Sequence, residues 1–229
     1  MNHQVINQAT YKCLVCPQDS LAGMEFCQNC RRAFQAYAYP RNCYHDGSDT
    51  IVSHLYRDPI STLIKRAKSQ TFGLWDQRLR NFFSNWIEHW TPVVNLIDFD
   101  LIVSVPGQPL RTELETDLAA HTALEFSRRL KKPVLANPLL RRKILDRDLF
   151  LLNKNPSMLE RLYWRPFSFE AIPPSRSSWA KKILLIDDVM SSGATIKKCK
   201  ELLELQGNTV SASFVLAASG GISRENLLA

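Results

Sequence analysis

The chain reads as an α/β protein, a parallel sheet flanked by helices, with a small cysteine-rich module at its front. Three observations predict this. The run Ile183 to Ile186 is short, apolar and rich in branched residues, as suits a strand buried on both faces, and a helix-spaced stretch follows it closely. Two further runs, Asp100 to Val105 and Thr209 to Ala218, read as strands of the same sheet with helical stretches between them. Near the start stand two Cys-x-x-Cys knuckles, Cys13 with Cys16 and Cys27 with Cys30.

The first of these runs organises the rest. Asp187 and Asp188 follow Ile186 directly, and Met190-Ser191-Ser192-Gly193-Ala194-Thr195 forms a turn of small residues. Beyond it, Ile196, Cys199, Leu202, Leu203 and Gln206 recur at helical spacing, so a helix over Ile196 to Leu205 is expected. A helix starting at such a turn points free backbone N–H groups outward, and small side chains let a phosphate approach them. The hydroxyls of Ser191, Ser192 and Thr195 add donors to the same anion. The two acids accept hydrogen bonds from sugar hydroxyls or face a hard cation. An acid pair beside a phosphate loop points to a phosphorylated sugar. Helix capping alone needs a single such residue, and leaves two adjacent acids and a glycine turn without a use.

At 229 residues the chain has room for one α/β domain and a small appendage, divided here as 1–35 and 36–229. The four knuckle cysteines fit the tetrahedral thiolate site of a structural zinc ion, which replaces the core that so short a segment lacks. Disulfides are the other use of such cysteines and do not suit a reducing compartment. That compartment is expected because Met1 to Tyr11 is polar, without a signal peptide's apolar core, and no apolar run approaches the ~18 residues of a membrane span. The expectation is therefore a cytoplasmic protein. Ala36 to Tyr56 reads as two strands around a turn at Asp46-Gly47-Ser48; Cys43 and His45 fall here and are not needed by a closed four-cysteine site.

Pro59 to Arg66 and Leu74 to Trp90 read as helices, the second with Leu79, Phe82, Phe83, Trp86, Ile87 and Trp90 on one core-facing side. The strand at Asp100 to Val105 ends in Pro106-Gly107-Gln108-Pro109, a turn allowing close backbone approach, with Arg111 just beyond. Glu113 to Leu130 is helix-spaced and Pro133 to Ala136 reads as a strand. Around them lie two basic clusters, Arg128, Arg129, Lys131 and Lys132, then Arg141, Arg142 and Lys143. With a formal charge of +7 they favour anionic partners, a pyrophosphate-bearing metabolite or nucleic acid. Leu149 to Pro174, broken by four prolines, shows no regular element.

Ile183 to Thr195 as a whole resembles the phosphoribosyl-pyrophosphate signature of the type I phosphoribosyltransferases. That resemblance implies their fold, with Asp187 and Asp188 on the ribose hydroxyls and Met190 to Thr195 around the 5′-phosphate. It also implies Mg²⁺ entering with phosphoribosyl pyrophosphate. Catalysis in that setting falls to Asp187 and Asp188, which orient the ribose and favour positive charge at its anomeric carbon.

Cysteine knuckles ahead of such a domain make the whole layout similar to the ComF/GntX family. Tyr56-Arg-Asp-Pro-Ile60, Leu63-Ile-Lys65 with Lys68, and Val103-Ser-Val-Pro106 carry that likeness further. It implies association with DNA uptake in natural transformation, with single-stranded DNA and competence proteins as partners. The chain departs from the family beyond Arg111, where Gly-Phe-Asn-Gln is missing, and at Arg161-Leu-Tyr-Trp164, where an Asn is missing. The expectation is thus a phosphoribosyltransferase whose ligand site is better marked than its acceptor site. The alternative is a non-catalytic protein of the competence machinery, binding single-stranded DNA or acting as a ligand-regulated scaffold.

Overall fold

A computed structural model describes residues 11–20, 24–36, 38, 50–69, 75, 77–107, 117–135, 140–142, 169–172 and 180–219. Its centre is a four-stranded sheet built from β3 (Thr50–Leu55), β4 (Leu101–Ser104), β7 (Lys182–Met190) and β8 (Thr209–Ala218). The strand order is β3-β8-β7-β4 and every pairing is parallel. Helices cover both faces, as a parallel sheet requires. One face packs on α2 (Ile60–Lys68), α3 (Gln77–Val94) and α4 (Leu118–Leu130), through Leu63, Phe83, Ile87 and Phe126 against Ile102, Leu184, Ile186 and Phe214. The other packs on α5 (Ala194–Leu205), whose Ile196, Cys199 and Leu203 meet Ile183, Leu185 and Val215. A short antiparallel pair, β5 (Leu140–Arg142) with β6 (Phe169–Ala171), adds Leu140 and Phe169 to this second core.

At the front, β1 (Tyr11–Lys12) and β2 (Asp19–Ser20) form a two-stranded hairpin, and α1 (Gln28–Ala36) begins within the second knuckle and carries Cys30. The α/β class with a cysteine module is therefore as the sequence predicts. Among the described residues no helix is long and apolar enough to cross a membrane.

Several elements differ from expectation. β7 does not stop at Ile186 but continues through both acids to Met190, because β8 runs beside it that far and pairs Met190 with Ala218. The strand expected over Pro133 to Ala136 shrinks to a single bridge between Val134 and Ile102. The helix expected from Glu113 starts at Leu118, since Asp117 is extended at φ −80° and ψ 100° and caps it. α3 passes Trp90 and ends at Val94, with Pro92 exposed inside its last turn and Val94 buried. Of the two strands expected over Ala36 to Tyr56, β3 is present and Ala38 makes one bridge to His54. α1 was not anticipated, although Cys27, Cys30 and Phe34 recur at helical spacing. Cys43, His45, the turn at Asp46-Gly47-Ser48, Arg111, Lys143 and Arg161 to Trp164 lie outside the described residues.

Candidate functional site

In a parallel sheet all carboxyl ends share one edge, where ligands of open α/β folds bind. Here that edge gathers Tyr56 after β3, Val105 to Gly107 after β4, and the turn after β7. The sheet's own hydrogen bonds hold them in place. Val105 N–H donates to the Ile186 carbonyl at 2.7 Å, Tyr56 N–H to Ala218 at 2.7 Å, and Ser219 N–H to Met190 at 2.8 Å.

Behind β7 the turn reaches α5 through Gly193, whose φ of 74° lies in the left-handed region that other residues enter at a cost. Gly193 is also the helix N-cap and offers no side-chain acceptor, and the first turn of α5 carries no acidic residue. The positive end of the helix is thus left unneutralised by its own sequence. The Ser192 hydroxyl accepts weakly from Ala194 N–H at 3.4 Å. Asp187 and residues 189–196 line one shallow cleft in front of this helix start. Met190, Ser191, Ser192, Gly193, Ala194 and Thr195, the residues singled out in the sequence, therefore meet around one space together with Asp187.

Asp188 does not line that cleft. Successive strand residues point to opposite faces, and Asp188 turns towards α2, where its Oδ2 lies 2.6 Å from Lys68 Nζ. Both acids remain only partly buried. Burial, and next the charge of Asp188, raise the Asp187 carboxyl to about 8; Lys68 draws it down and Asp117 pushes it up. Asp117 is a third carboxyl that the sequence reading did not pick out. It accepts from Ala119 and Ala120 N–H as the cap of α4, and from Gly107 N–H at 3.0 Å. Burial chiefly raises it as well, with a further push from Asp188. A Cβ on Gly107 would fall 2.5 Å from the Asp117 Oδ2, so a larger residue would have to displace that carboxylate.

The four knuckle cysteines converge at the opposite end of the molecule's sequence. Their Sγ atoms all lie within 4.8 Å of one another, with Cys16 3.6 Å from both Cys27 and Cys30. A tetrahedral zinc with Zn–S bonds of about 2.3 Å separates its sulfurs by roughly 3.8 Å. The cluster fits that ion, whereas a disulfide requires an S–S distance of about 2.05 Å. Burial raises the Cys13 thiol, but the amides of Val15, Cys16 and Cys27 outweigh it and bring it to about 7, favouring the thiolate a metal needs. Arg78 of α3 anchors the module by donating to the carbonyls of Lys12, Met24 and Glu25, and Arg66 of α2 donates to Leu14 at 3.0 Å. Phe34 packs edge-on against Phe82 and Trp86.

The aromatic side of α3 is core, as its spacing implies, with Phe83 and Ile87 fully buried. Of the first basic cluster, Arg128 pairs with Glu125, Arg129 with Glu88 and Ser84, and Lys132 donates to the Phe99 carbonyl.

No family model and no curated protein sequence matches the chain. Among solved structures, the chain is similar to adenine phosphoribosyltransferase from Thermoanaerobacter pseudethanolicus, at 18% identity and a TM-score of 0.38, over 62% of this chain and 70% of that one. It is also similar to orotate phosphoribosyltransferase from Aeropyrum pernix, at 19% identity and a TM-score of 0.35, over 66% of this chain and 65% of that one.

Proposed function

We propose that the cleft at the carboxyl edge of β7 binds phosphoribosyl pyrophosphate, and that residues 36–229 are a type I phosphoribosyltransferase domain behind a zinc module at 1–35. The observation that carries this reading is the start of α5 at Gly193, an N-cap with no side-chain acceptor of its own, facing one cleft with Asp187. In it the first-turn amides and the hydroxyls of Ser191, Ser192 and Thr195 hold the 5′-phosphate. Asp187 receives a ribose hydroxyl, and Asp188 supports it from the neighbouring face. The carboxylate charge favours the cationic character that develops at the anomeric carbon as pyrophosphate departs. Asp187 offers hard oxygen to Mg²⁺, which would enter with the pyrophosphate and neutralise its charge. Gly107 brings backbone close to the same edge.

The ComF-like reading, with a place in DNA uptake, rests on the cysteine module and the sequence resemblance. Single-stranded DNA at the first basic cluster has less support, because Arg128, Arg129 and Lys132 already have protein partners.

A calorimetric titration with phosphoribosyl pyrophosphate and Mg²⁺ tests the reading. Binding is expected for the wild type and its loss for Asp187→Asn with Asp188→Asn. Affinity should rise as pH climbs towards about 8, where the raised Asp187 carboxyl gives up its proton and becomes an acceptor. Equal affinity in the double variant would remove the acids from the site. Release of pyrophosphate with an added acceptor would then separate an enzyme from a scaffold.

A further inference from the structure

Helix α2 turns one cation inward against the acid couple. Lys65, Arg66 and Lys68 all stand in its last turn, where the helix dipole favours positive charge. Lys68 reaches β7, and its side chain is only 21% exposed against 15% for Asp188. A partly buried ion pair of this kind seldom adds stability over a well-packed apolar pair, so its place beside a ligand cleft calls for another reason. Three carboxylates meet there from different elements: Asp187 and Asp188 from β7, and Asp117 from the cap of α4. Tyr56, at the end of β3, also faces Asp188, and burial followed by that charge raises its hydroxyl.

We propose that Lys68 is a positioning residue of this site: it fixes the direction of the Asp188 carboxylate and supplies the countercharge of the acid couple. The proposal rests on the reading of the cleft as a phosphosugar site. It follows from the arrangement of charges. Without the ammonium, three clustered carboxyls have no cation against them among the described residues, and nothing there holds the Asp188 carboxylate in one direction. A monodentate contact at one carboxylate oxygen also makes a defined demand on the side chain, namely charge at a given reach, which arginine can meet and methionine cannot.

The test is a titration of wild type, Lys68→Met and Lys68→Arg with phosphoribosyl pyrophosphate and Mg²⁺. Lys68→Met should weaken binding by about tenfold or more. Lys68→Arg should restore it to within about threefold of wild type. Wild-type binding with an unchanged affinity in Lys68→Met overturns the role of Lys68 alone. Absence of binding by the wild type overturns the phosphosugar reading, and this proposal with it. Should Lys68→Met not fold, the ammonium resonance of Lys68 in the wild type decides the matter: it shifts with ligand occupancy under this account and stays fixed if the pair is only structural.

Discussion

Protonating His54 should detach the cysteine module from the sheet. His54 sits on β3 at 3% exposure, its ring 4.4 Å from Phe34 of α1 and 4.9 Å from Trp86 of α3. Nδ1 and the Ser53 hydroxyl are 2.6 Å apart, Trp86 Nε1 donates to that same hydroxyl, and Nε2 has no hydrogen-bond partner among the described residues. Among the described residues, no carboxylate or carbonyl meets the ring to balance an imidazolium, and Nε2 would hold its proton without an acceptor. Burial first, and then the nearby charge of His89, hold His54 at about 3, far below its ordinary 6.5. Because the unfolded chain takes up the proton first, the contribution of His54 to stability is complete above pH 6.5 and declines as pH falls towards 3. At about 1.36 kcal/mol for each unit of separation, the full loss is roughly 5 kcal/mol, and at pH 5 it is about 2 kcal/mol. Urea unfolding read by tryptophan fluorescence at pH 7.5 and pH 5 measures it, with His54→Phe as the control in which every other group titrates unchanged. Wild type should lose about 2 kcal/mol more than the variant between the two pH values. Equal losses in the two proteins would refute a buried neutral His54.

Metal analysis of the purified chain should find one zinc ion, and Cys16→Ser should lower both metal content and melting temperature; cysteines that alkylate freely in the native protein would contradict the site. Gly193→Ala forces a Cβ into the left-handed region at a cost of about 1–2 kcal/mol, so denaturant midpoints should fall and phosphoribosyl pyrophosphate binding should weaken. Unchanged binding in that variant would mean that the turn does not shape the phosphate site.

The site was legible where chemistry and local pattern coincide. Asp187 to Thr195 announced itself because a buried strand, two acids and a glycine turn occur in succession, and the same contiguity exposed the two cysteine knuckles. The stripe from Leu79 to Trp90 was legible for the same reason. What escaped depends on partners distant in sequence. Lys68 looks like an ordinary basic residue at a helix end, and only the approach of β7, 120 positions later, gives it Asp188. The end of β7 was misjudged because β8 sets it. Asp117 could have been found, since an aspartate directly before Leu118-Ala119-Ala120 is a helix-start signal; its second bond, to Gly107, could not. His54 gives no local sign of its burial, which comes from Phe34 and Trp86 on two different helices.

A crystal soaked with phosphoribosyl pyrophosphate and Mg²⁺ tests the central claim most directly. The account predicts density for a phosphate against the amides that open α5 beside Gly193, with a ribose hydroxyl within hydrogen-bond reach of Asp187. Density for the metabolite elsewhere on the protein, or an empty cleft at saturating concentration, would contradict it.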